Sequence, residues 1–142
     1  MTDFIESLQL WPAQDALLAA LALEDDLDDV AQGIGFPVNV EPAHVWIAGK
    51  AQGLLGDELS GEAPSAETFH LTAIVYVRLA DEYLEVRNVV RTIAAAVMRA
   101  FDSDTFRAVV PAWTLSAYDL EESTDGTYRE LALLLDVECR CW

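Results

Sequence analysis

The stretch 67–79, Glu-Thr-Phe-His-Leu-Thr-Ala-Ile-Val-Tyr-Val-Arg-Leu, leaves the chain few ways to fold. Phe69, Leu71, Ala73, Val75, Val77 and Leu79 alternate with Thr68, His70, Thr72, Ile74, Tyr76 and Arg78. Successive side chains of a strand point to opposite faces, so this period of two predicts a strand with one wholly apolar face. The second face is mixed, and its Ile74 and Tyr76 are apolar enough to need cover. The period then changes. Tyr83, Val86, Val90, Ile93, Val97 and Phe101 recur at three- and four-residue spacing, which predicts a helix over 81–102 with a buried stripe. Asp81 is placed to cap its start, and Asp102-Ser103-Asp104 ends it. An apolar sheet face and an apolar helix stripe bury each other by packing as two layers.

The flanking segments complete that plan. Residues 12–23 read as a first helix, with Pro12 in the first turn, where its missing N–H costs nothing, and Leu17, Leu18 and Leu21 as the apolar stripe. Gly33, Gly35 and Pro37 mark a turn, and 44–47, His-Val-Trp-Ile, a short strand. Residues 49–66 hold four glycines, Pro64 and several acids, and read as a long flexible loop or hairpin tip. Residues 113–121 read as a strand with Trp113, Leu115 and Ala117 on one side. Asp125-Gly126 is a hairpin signal. In 127–141, Leu131, Leu133, Leu135, Val137, Cys139 and Cys141 line one face. The expectation is a single α+β domain over 1–142, a two-layer sandwich of a mostly antiparallel sheet with two helices on one face. A length of 142 residues suits one domain with one core.

Charge narrows the partners. The net charge is −17, from 25 acids against 8 bases. Phosphate contacts need Lys and Arg, so naked nucleic acid is a poor partner. The charge is also unevenly placed: thirteen acids and a single base, Lys50, precede Thr68, whereas twelve acids and seven arginines follow from there. Asp25, Asp26, Asp28, Asp29, Asp57 and Glu58 are therefore candidates for an acidic surface or channel wall. Arg87 and Arg91, one turn apart on the flank of the helix stripe, are candidates for a subunit interface together with Ile74, Tyr76 and Arg78. No apolar run approaches the ~20 residues of a membrane helix. The start, Met-Thr-Asp-Phe-Ile-Glu, lacks the basic opening of a signal peptide, so a cytoplasmic chain is expected.

Signals for chemistry are weak. His44 and His70 are the only histidines, neither sits in a nucleophile motif, and both read as surface or interface residues. Gly33-Ile34-Gly35-Phe36-Pro37 follows an acidic run instead of a strand, unlike a dinucleotide fingerprint. Glu24-Asp25-Asp26-Leu27-Asp28-Asp29 lacks the spacing of a calcium loop. Cys139 and Cys141, two apart on one strand face, read as core thiols, not as a disulfide or zinc site. The expectation is no enzyme, no cofactor and no metal.

The layout resembles the tail-terminator and related neck proteins of long-tailed bacteriophages, including the lambda-type terminator. The resemblance rests on the helix bearing Ala-Leu-Leu-Ala-Ala-Leu, the acidic linker, and the strand Pro-Ala-His-Val-Trp-Ile-Ala-Gly over 42–49, followed by loop, strand, long helix and hairpin. It covers most of the chain and has no catalytic signature. It implies a virion protein, assembled in the host cytoplasm, that forms a ring with itself, often a hexamer. Such a ring caps the tail tube, contacts the tail-tube protein and the head-side connector, and passes DNA as non-specific cargo, with no membrane. An acidic wall would let the genome slide without sticking. The alternatives are another neck protein, such as a head-closure or connector protein, and an acidic DNA-mimic inhibitor. The first differs only in its position in the neck. A mimic needs carboxylates at phosphate-like spacing, and the run at 24–29 is short for that.

Overall fold

The protein is described by a computed structural model over residues 8–35, 42–51, 67–80, 82–125 and 128–141. In chain order the elements are α1 (Leu10–Ala22), one 3-10 turn (Asp25–Leu27), β1 (Ala31–Ile34), β2 (Ala43–Ala51), β3 (Glu67–Leu79), α2 (Tyr83–Phe101), α3 (Asp104–Arg107), β4 (Ala112–Asp125) and β5 (Tyr128–Cys141). The strands form one sheet in the order β1-β2-β3-β5-β4. β1 and β2 are parallel, and every other neighbouring pair is antiparallel. α1 lies over β1 and β2, and α2 lies over β3 and β5. The result is the expected two-layer α+β sandwich with two long helices on one face.

The alternation in 67–79 decides which face that is. Phe69, Leu71, Ala73, Val75 and Val77 are buried beneath the helices, opposite Cys139, Val137, Leu135, Leu133 and Leu131 of β5. Val45 and Ile47 of β2 continue the same layer. From above, Ala13, Leu17, Ala20 and Leu21 of α1 and Val86, Val90, Ile93, Val97 and Phe101 of α2 close the core. Each fully buried large side chain contributes roughly 1.5–3 kcal/mol. α2 buries one apolar stripe and is mostly polar elsewhere, with Leu84 left exposed.

The structure departs from the sequence expectations in several places, each with a local cause. α1 starts at Leu10, so Pro12 falls within its first turn as expected, and it stops at Ala22 just before the acidic run. Ala31–Ile34, including Gly33 of the expected turn, is a strand, Gly35 turns the chain, with φ +80° and its N–H donating to the Ile47 carbonyl at 2.8 Å, and Pro37 lies outside the described residues. A left-handed φ carries no Cβ penalty at glycine. Gly49 to Ala51 belong to β2, not to a loop, and the rest of the expected 49–66 loop lies outside the described residues. Position 49 is small because a Cβ there would stand 2.7 Å from Leu10 Cδ1 and 3.2 Å from the His70 carbonyl oxygen. Residues after α2 form an extra short helix, α3. Ser103 caps it by accepting from the Phe106 N–H at 3.3 Å, and buried Phe106 meets Phe101 edge-on, with centroids 5.1 Å apart. Asp81 and Gly126 lie outside the described residues, and Glu82 occupies the N-cap position of α2 without a side-chain cap.

A bulge falls between Leu115 and Ala117 in β4, with Ser116 as the extra residue. Its hydroxyl donates to the Asp136 carbonyl at 3.0 Å. The bulge shifts the pattern by one, so Ala117 turns to the face opposite Trp113 and Leu115, and Tyr118 takes its place on their side.

Candidate functional site

Among the described residues β4 is an edge strand, paired only with β5. Its Leu115, Tyr118 and Leu120 stand opposite Val137, Leu135 and Leu133, so they point to the helix side of the sheet. The helix layer stops short of them. Tyr118 is 74% exposed, and Leu115 and Leu120 are exposed too. Between this strand and α2 runs a groove of about 380 Å³, lined by Arg87, Val90, Arg91 and Ala94 on one wall, Leu120 and Glu122 on the other, and Leu131 and Leu133 on the floor. An apolar floor, an exposed apolar wall and an unpaired strand edge mark a surface made for contact.

The groove also holds positive charge that forms no ion pair among the described residues. Four of the seven arginines are held by carboxylates within the fold. Arg78 meets Glu130 at 3.3 Å. Arg99 spans Glu24 at 2.7 Å and Asp26 at 2.8 Å. Arg107 pairs with Asp102, and Arg140 with Glu138. Arg87 and Arg91 form no ion pair among the described residues, although the chain has 25 acids to offer. Arg87 sits 5.9 Å over the Tyr83 ring. The nearest carboxylate in the groove, Glu122, is engaged by the Tyr83 hydroxyl, which donates to it and ties the start of α2 to β4. That bond raises the Tyr83 pKa above 10.0, because losing the proton would set two negative oxygens against each other.

The five interface candidates from the sequence do not make one surface. Arg87 and Arg91 line the groove on the helix side, whereas Ile74, Tyr76 and Arg78 lie on the other face of the sheet. There Ile74 is 8% exposed, so it is covered within the chain. Tyr76 stacks on His44 with centroids 4.9 Å apart, and Trp46 stacks on the same imidazole at 4.3 Å. His44, expected at the surface or at an interface, is 3% exposed, because the two rings enclose it. Arg78 lies 4.4 Å above the Tyr128 ring. His70 is half-exposed, with Nδ1 3.3 Å from Asp136 Oδ1.

The acidic candidates divide as well. Asp26 is partnered by Arg99, whose pKa is pushed up first by its hydrogen bond to Glu24. Asp25, Asp28 and Asp29 are exposed and form no ion pair among the described residues. Asp57 and Glu58 lie outside the described residues. Cys139 is buried, with its thiol directed at the Val137 carbonyl. Among the described residues no cluster of three His, Cys, Asp or Glu is placed to hold a metal ion, and no helix is long and apolar enough to cross a membrane.

Sequence reasoning found the arginine pair but missed the groove. The signal for it was present in Tyr118 and Leu120: two large apolar residues on a strand whose other neighbours, Asp119, Glu121 and Glu122, are charged.

No family model and no curated protein matches the chain. Among solved structures, it is similar to a chain of the virion of a native gene transfer agent (GTA) particle, at 13% identity and a TM-score of 0.48, over 99% of this chain and 100% of the other.

Proposed function

We propose that this chain is a structural virion protein without catalytic activity: a ring-forming tail terminator that caps a tail tube and joins it to the head-side connector. The observation that carries the assembly half of this reading is the exposed edge of β4 with Leu115, Tyr118 and Leu120 beside an arginine-lined groove. A domain of charge −17 that leaves such a strip uncovered gains by covering it in a complex. The terminator half is supported by the sequence layout that resembles those proteins, and by a surface acidity that would repel the phosphates of passing DNA.

The test is the mass of the purified protein by light scattering, alone and mixed with tail tubes, with electron microscopy of the tube ends. The expected result is a closed oligomer, in solution or formed on the tube end, that stops tube growth. A protein that stays monomeric and never associates with tubes overturns the reading.

A further inference from the structure

The groove arginines and the exposed acids of the turn, without ion pairs among the described residues, sit on opposite edges of the fold. Asp25, Asp28 and Asp29 belong to the turn that leads into β1, the edge strand at one end of the sheet. Arg87 and Arg91 flank β4, the edge strand at the other end. Four strand spacings separate these edges, roughly 19 Å. α2 keeps them apart, presenting Arg99 to the acidic turn and Arg87 and Arg91 to the β4 groove. Each edge also carries uncovered apolar surface. Leu23, beside the acidic turn, is 70% exposed, and the groove offers Leu120 above a floor of Leu131 and Leu133.

Resting on the ring reading above, we propose that the contact joining two copies is head-to-tail. The β4 groove of one copy receives the acidic turn of the next, with Arg87 and Arg91 meeting Asp25, Asp28 and Asp29 and with Leu23 entering the apolar floor. The occupant is a second copy because the chain itself carries both halves of the match, an apolar knob beside unpaired acids and an apolar groove with two unpaired arginines on one wall. The two halves are too far apart to meet within one molecule. A contact between two different patches repeats from copy to copy and closes into a ring when the rotation allows, whereas a self-complementary patch stops at two copies. It also separates like charges: groove against groove would oppose four arginines, and turn against turn would oppose the acids.

The test uses two full-length double variants, R87E/R91E and D28R/D29R, sized by light scattering with and without tail tubes and checked for native folding by circular dichroism. Each alone is expected to lose assembly by ~10-fold or more in midpoint concentration, since close interfacial charge pairs couple by more than about 1.4 kcal/mol. An equimolar mixture is expected to assemble again, because each variant keeps one wild-type half and the reversed halves match each other. The neutral pair R87Q/R91Q serves if a reversal disturbs the fold, and is expected to weaken assembly by less. Assembly by either double reversal at wild-type concentration, or a mixture that stays dispersed, overturns the head-to-tail contact and leaves the ring reading standing. Wild-type protein that never assembles overturns both.

Discussion

Gly49 passes directly beneath Leu10: a Cβ built on the glycine would stand 2.7 Å from the leucine Cδ1. This is where the first turn of α1 rests on β2. The Gln14 amide nitrogen, at 3.0 Å, and the His70 carbonyl oxygen, at 3.2 Å, close the same space. The two side chains can give way and the carbonyl cannot. G49A is therefore expected to cost about 1–2 kcal/mol, the range for mild overpacking, and G49V more. In a double-mutant cycle with L10A, part of the G49A penalty should vanish. Urea unfolding of the four proteins measures it, and strict additivity would show that the helix is not held at this point.

Phe106 is the peg that fixes the chain between α2 and β4. It is fully buried and meets Phe101 with planes at 87°. F106A is expected to cost about 3–5 kcal/mol, as lost burial and a residual cavity add. F106L should cost clearly less, because it refills most of the space. Thermal unfolding of both variants provides the comparison.

Arg99 ties the acidic turn to α2 through two carboxylates. All three groups are partly or largely exposed, so the tie is screened by salt. R99E is expected to lower Tm at low ionic strength, with the gap to wild type narrowing as salt rises. A Tm difference unaffected by salt would mean the loss is one of packing.

The Tyr83–Glu122 bond predicts a pH signature. The Tyr83 pKa is raised in the folded state, so the stability it contributes is fully present below the unfolded value of about 10 and is lost as pH rises through the folded value. Ultraviolet titration should show a tyrosine ionising above the ordinary phenol value, and Y83F should remove that component. E122Q should bring that ionisation down, because the amide carries no charge to oppose the phenolate. An unchanged titration in E122Q would place the cause elsewhere.

Much of the fold was legible because its elements are strongly patterned. One face of β3 is apolar at every second position from Phe69 to Leu79, and α2 keeps a three-four stripe from Val86 to Phe101. What escaped were elements whose order comes from neighbours. β1 is four residues long and forms by pairing with β2, so its Gly33 reads locally as a turn. α3 is one turn, held by the Ser103 cap and by Phe106 in the core. The burial of His44 follows from the stacking of Trp46 and Tyr76, residues from two different strands that only the register brings together. The candidate site was half legible for the same reason. The spacing of Arg87 and Arg91 places them on one helix flank, but that this flank faces Leu120 depends on β4 lying outside β5.

The bulge at Ser116 makes the length of β4 in residues differ from its length in space. Every other residue of the hairpin is locked to a face by parity, so deleting Leu134 would turn each side chain beyond it inside out. Deleting Ser116 would instead leave Leu115 and Ala117 opposite Val137 and Asp136, an unbroken ladder with every later residue on its present side. The strand thus carries one residue of slack, at the point where the exposed apolar strip begins. A related chain one residue shorter there would still present Tyr118 and Leu120 to whatever lies against them.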